Sequence, residues 1–211
     1  MSEEQGEFEP LKIGVLLSGS GSNLQAIINA IESGTLNAQI RIVIASNPNA
    51  YGLERAREAG IPTYSLRREM YDMPAVANSL IADELECSEV ELVVMAGYMR
   101  KLGKEVLNKF PDRVLNLHPA LLPSFPGAHA IEDALTAGVK LTGVTVHFAN
   151  EEYDKGPIIA QFSVPVLDGD NKESLANRIH EVEHVIYPEV INLIAQDKVR
   201  INEARHVEIE D

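Results

Sequence analysis

The chain has 211 residues, 45% hydrophobic and 24% charged, which suits one α/β domain around a single sizeable core. Its 32 acidic residues outweigh 18 basic ones, and the formal net charge of −14 argues against nucleic acid or an anionic membrane as its main partner. A single cysteine, Cys87, excludes an intrachain disulfide, and the acidic start MSEEQGEFEP is unlike a signal peptide, so a cytoplasmic location is expected.

Residues 1–10 read as a short, solvated, disordered arm and residues 11–211 as one domain. Leu11–Leu17 is a nearly continuous apolar run, the pattern of a strand buried on both faces. SGSGS follows, and then a helical pattern that stops at Gly34. A strand is expected at 40–46, a short helix at 53–59 closed by Gly60, and a short strand at 62–66. A helix at 75–85, a buried strand at 91–97, a short helix at 104–109, a strand at 113–119 and a helix at 131–137 come next. Residues 142–148 and 158–166 alternate as more exposed strands, the second ending near Pro165. A long helix at 174–195 is expected to be interrupted at Pro188, and a polar, mixed-charge tail closes the chain. The alternation predicts an α/β fold: a doubly wound, mostly parallel, Rossmann-like sheet with an antiparallel addition.

Ligands of such sheets bind at the carboxyl ends of the strands, which singles out residues 18–23, 97–101 and 116–127 as loops facing one crevice. The SGSGSN loop joins a strand to a helix. Gly19 and Gly21 permit a tight turn, and the free amides at the helix start favour an anion. Leu24 stands where a dinucleotide fingerprint needs glycine, and the second strand ends Ala45-Ser46-Asn47 with no acid for a ribose diol, so a phosphate monoester is the expected ligand. Asn116 and His118 share one face of a strand end, where an amide can donate to an oxyanion and an imidazole can move a proton. Asp154, in EEYDKGPII, is either ordinary turn chemistry or the acidic partner of His118. His180-Glu181-Val182-Glu183-His184 has the H-E-x-x-H spacing of zinc proteases, which in this parallel α/β context reads as a chance match. His147 and His206 read as structural or surface residues, and His129 as a candidate for the pocket wall.

SGSGSNLQAI, SNPNAYGLERA, AGYMRKL, LNLHPALLPSFPGAHA, GVTVHF, EEYDKGPIIAQ and EHVIYP together resemble the glycinamide ribonucleotide formyltransferase family, over nearly the whole chain from about Lys12 to Asn202. The resemblance implies transfer of a formyl group from the co-substrate 10-formyltetrahydrofolate to the amine of a phosphorylated glycinamide, without a metal. It implies Asn116, His118 and Asp154 as the catalytic trio. Gly21, Ser22, Asn23 and Leu24 would hold the substrate phosphate and Glu183 its glycinamide end. Met99, Arg100, Lys101, Leu102 and Asn116 would line the folate pocket, with Asn150, Glu151, Glu152 and Tyr153 over the pteridine. Pro74 departs from the family pattern, standing where some members carry a basic residue. Arg67 and Arg68 are the candidates to replace it. Expected partners are small molecules only, with no nucleic acid or membrane, and the chain acts as a monomer or homodimer. Related formyl-transfer enzymes carry an extra carboxy- or amino-terminal domain, for which the chain length leaves no room.

Overall fold

The computed structural model describes residues 9–210, so the expected arm lies outside the described residues except for Glu9 and Pro10, which are exposed. Nine strands are described: β1 (Leu11–Leu17), β2 (Ala38–Ala45), β3 (Thr63–Ser65), β4 (Leu92–Met95), β5 (Val114–His118), β6 (Leu141–Phe148), β7 (Ile158–Pro165), β8 (Val199–Ile201) and β9 (Val207–Ile209). Among them run α1 (Ser22–Glu32), α2 (Tyr51–Glu58), α3 (Pro74–Cys87), the short α4 (Lys104–Leu107), α5 (Ala130–Ala137) and α6 (Lys172–Ala195). The main sheet has seven strands in the order β3-β2-β1-β4-β5-β6-β7. Pairing is parallel from β3 through β5 and antiparallel at β5–β6 and β6–β7, the expected doubly wound sheet with its addition.

The apolar run of β1 follows from its central place. Ile13, Val15 and Leu17 face the core under α1, α2 and α6, while Leu16 faces the core under α3 and α4. Successive side chains alternate across a strand, so a strand covered on both faces is apolar through its buried part, and Lys12 stands at its half-buried start.

Two expectations are corrected. Pro188 does not interrupt the last helix: α6 continues from Lys172 to Ala195. Proline forfeits one bond to the carbonyl four residues back, and here Ile186, Tyr187, Val190 and Ile191 bury around it. The Tyr187 hydroxyl also donates to the carbonyls of Met95 at 2.9 Å and Leu115 at 3.1 Å, tying the helix to two adjacent strands. The polar tail is not featureless either, because Val199–Ile201 and Val207–Ile209 pair as an antiparallel hairpin. A short 3-10 turn at Arg68–Asp72, which the periodicity did not reveal, precedes α3.

Candidate active site

Strand order reverses between β1 and β4, so the loops after these two strands diverge and open a crevice. Ser18 fastens them together: its backbone N–H donates to Gly97 O at 3.0 Å, and its Oγ accepts from Met99 N–H at 2.8 Å. The same Oγ lies 2.6 Å from Ser46 Oγ, at the end of β2. Between the loops is a pocket of about 230 Å³, lined among others by Ser20, Ser22, Asn23, Met99 and His180.

Gly21 is the N-cap of α1 in a left-handed conformation with φ 70°, and no side chain caps the helix. The first helical bond runs from Gln25 N–H to Gly21 O at 3.0 Å. The amides of Ser22, Asn23 and Leu24 therefore have no acceptor within the helix and are available to an anion. A Cβ on Gly21 would lie 2.6 Å from Gly52 Cα, so this glycine also seats the loop on the start of α2. The Leu24 side chain belongs to the core, leaving only its backbone for a ligand.

Glu183 is buried, and its Oε2 accepts from Asn23 Nδ2 at 3.0 Å and from His180 Nδ1 at 2.8 Å. The carboxylate expected at the amine end of the substrate thus also sets the position of two side chains that line the pocket. Asn23 Oδ1 is buried without a hydrogen-bond partner, an acceptor left over beside that pocket. Glu183 raises the His180 pKa above its ordinary value through this hydrogen bond, whereas burial lowers that of His184. The two rings stack at 6.4 Å. Among the described residues, no group of three or more His, Cys, Asp or Glu side chains is placed to hold a metal ion.

The second cluster lies across the parallel-to-antiparallel boundary. Asn116 of β5 pairs with His147 of β6, and Asn116 Nδ2 donates to His147 Nε2 at 3.1 Å. Burial holds the His147 pKa below its ordinary value. Asp154 lies beside both histidines: its Oδ2 is 3.6 Å from His118 Nδ1 and its Oδ1 is 3.8 Å from His147 Nε2. The same carboxylate accepts from Gly127 N–H at 2.8 Å, while His118 Nε2 donates to Phe125 O at 2.8 Å. The proline-rich loop is therefore folded over the two residues.

That loop is also held from below. Leu122 N–H donates to Thr145 Oγ1 at 3.0 Å, Thr145 Oγ1 donates to Ala120 O at 2.6 Å, and Gln161 Nε2 donates to Leu122 O at 2.8 Å. Thr145, His147 and Gln161 are the residues that sequence reasoning missed or left as structural. The signal was present, because Thr145 and His147 stand two apart in a largely apolar strand, the same spacing that drew attention to Asn116 and His118.

Arg100, Lys101, Leu102, Asn116, Asn150, Tyr153 and Asp154 line a second pocket, with apolar walls from Met95, Leu107 and Ala149. Three expected residues are not in its wall. Met99 is exposed and lines the glycine-loop pocket, and Glu151 and Glu152 are exposed, with Glu152 paired to Lys155 at 2.9 Å. The Arg100 guanidinium lies 4.2 Å over the Tyr71 ring, on the 3-10 turn that leads to Pro74. Pro74 opens α3, where a missing N–H costs nothing. His129 is exposed beside Glu132, away from both pocket walls.

A doubly wound sheet, an open helix start and a strand-end amide–imidazole pair beside an aspartate define an acyl-type transferase. Residues 11–191 match the formyl transferase family, and the chain belongs to it. Within that family it is similar to a phosphoribosylglycinamide formyltransferase of Escherichia coli (strain K12), at 39% identity over 92% of this chain and 91% of that protein. The crystal structure of glycinamide ribonucleotide transformylase 1 from Symbiobacterium toebii matches with a TM-score of 0.93 and 45% identity, over 96% of this chain and 95% of that one. The chain also matches the trifunctional purine biosynthetic protein adenosine-3 of Gallus gallus at 42% identity over 96% of its own length, but spans 20% of that protein. Among the described residues no helix is long and apolar enough to cross a membrane.

Proposed function

We infer that the chain transfers the formyl group of 10-formyltetrahydrofolate to the amine of 5'-phosphoribosylglycinamide, a step of purine biosynthesis. One observation carries this reading: Asn116 and Asp154 line the apolar-walled pocket, and the wall of that pocket continues through residues 96–102 into the anion-suited pocket at α1. A phosphorylated amine held at the glycine loop and a formyl donor held in the second pocket would meet beside Asn116 and Asp154, with His118 Nδ1 3.6 Å from Asp154 Oδ2.

The amine attacks the formyl carbon, a new C–N bond forms, and the bond to the folate nitrogen breaks. One proton leaves the attacking nitrogen and one reaches the departing nitrogen. Asn116 stabilises the oxyanion by hydrogen bonding, since one Nδ2 hydrogen is bound by His147 and the other is available. His118 exchanges its bond to Phe125 O for the reacting groups and moves the proton, with Asp154 Oδ2 3.6 Å from its Nδ1. Met95, Leu102 and Leu107 offer apolar contact to the flat faces of a pteridine, and Asn150 and Tyr153 supply polar atoms for its edge. The chemistry is then a direct attack between two bound groups, with orientation as its main advantage.

The test is a competition assay with 10-formyltetrahydrofolate as donor. Glycinamide ribonucleotide should dominate over its dephosphorylated riboside and over initiator tRNA. Equal reaction of the riboside, or preference for tRNA, would overturn the assignment.

A further inference from the structure

The glycine-loop pocket has an unusual charge balance for a site that receives a phosphate. Ser18, Gly19, Ser20, Gly21, Ser22 and Asn23 supply amides and hydroxyls but no formal charge, and the β4 loop adds only Ala96, Gly97 and Met99. His180 is the one titratable side chain among the described residues of the wall. Arg55 of α2, which reaches the loop from outside this wall, is committed elsewhere: its Nε donates to Ser20 O at 2.9 Å and its Nη1 to Gln25 Oε1 at 3.0 Å.

The geometry points to His180 as the proton-gated element of this site: its protonation sets the affinity for the phosphorylated substrate. This rests on the proposed function above and deepens it. His180 Nδ1 donates to Glu183 Oε2 at 2.8 Å, so the neutral ring keeps its hydrogen there and leaves Nε2 a bare lone pair. A lone pair beside an anion pocket repels phosphate oxygens. One added proton converts it to an N–H donor and gives the wall its only positive charge. The buried Glu183 stabilises that charged ring. The Asn23 amide, held on the same Glu183 oxygen with its Oδ1 unpartnered, keeps the pocket built for a ligand.

Other charges around the ring come from its own helix. Glu183 favours the cation, and His184, stacked at 6.4 Å, opposes it when charged. α1 presents Ser22 and Asn23, and within this pocket wall the two loops present no titratable side chain, since Arg100 and Lys101 line the second pocket. The sign follows: His180 is charged below its raised pKa, so affinity is high there and falls as pH rises through it. A bound dianion raises that pKa further, so binding at higher pH must take up a proton from solvent.

The experiment is calorimetry of ribose 5-phosphate binding between pH 7 and 9, in two buffers of different ionisation heat. This probe lacks the glycyl amine, and its phosphate is already close to fully charged over most of this range. Wild type should lose about tenfold in affinity across the range and should take up protons on binding. His180→Gln should bind with a flat profile and no proton uptake, and His180→Lys should bind with a flat profile and remain tight at pH 9. A wild-type profile in His180→Gln, or no binding of ribose 5-phosphate at any pH, would overturn the proposal. Formyl transfer to glycinamide ribonucleotide, measured on the same preparation, reports separately on the function itself.

Discussion

His147 shows how two hydrogen bonds decide a protonation state. The Phe148 carbonyl can only accept and lies 3.0 Å from Nδ1, so that nitrogen carries the hydrogen. The Asn116 amide nitrogen can only donate, at 3.1 Å, so Nε2 carries none. The ring is neutral, and burial keeps its pKa below the unfolded value of about 6.5. Between those two values the unfolded chain binds more protons than the folded one, so stability must fall as pH is lowered through that window. Melting temperature followed from pH 8 to pH 5 should show this loss, and His147→Gln should flatten it. A variant with the same slope as wild type would assign the acid sensitivity to another group. For the reaction, Asn116→Ala should lower kcat by roughly 10²–10³ by removing one oxyanion donor. His118→Ala should lower kcat by roughly 10²–10⁴ while leaving the folded signal intact. Near-normal turnover in a well-folded variant of either residue would remove it from the mechanism.

At the scale of elements, the turn between β6 and β7 carries Asp154, and it closes only because residue 156 is glycine. A Cβ there would sit 1.7 Å from Phe148 O, a backbone atom that cannot step aside. Gly156→Ala should therefore displace Asp154 and cost about 1–3 kcal/mol of stability, with activity lost in parallel. Thermal melts and kcat measured together check it, and a stable but inactive variant would separate the two effects. Much of this level was legible in the residues. The run Leu11–Leu17, the SGSGSN loop and the pair Asn116–His118 each follow from local chemistry, and each lies where that chemistry predicts. What escaped was set by tertiary contact. Pro188 reads as a break because the burial that outweighs its lost bond, and the Tyr187 hydroxyl bonds to two strands, come from distant sequence. Gln161 looks like an ordinary strand residue until the loop at Ala120–Leu122 lies on it. The β8–β9 hairpin is only three residues a side, too short for an alternating pattern to announce itself.

For the whole molecule, the net charge of −14 and the placement of both pockets along one crevice favour two small ligands bound side by side. Direct attack requires both to be present at once. Initial-velocity plots at several fixed concentrations of each substrate should intersect, and no labelled formyl group should remain on the protein after incubation with the donor alone. Parallel lines or a labelled protein would demand a covalent intermediate instead. The crevice has one further property. The segment from Ala96 to Leu102 is a party wall: Gly97 and Met99 face one chamber, Arg100 and Leu102 the other, and Ser18 clips it to the neighbouring loop. Tyr98 and Leu102 root this partition in the core under α3 and α4. Two tenants share one wall, so a substitution anywhere along it is a change to both rooms at once.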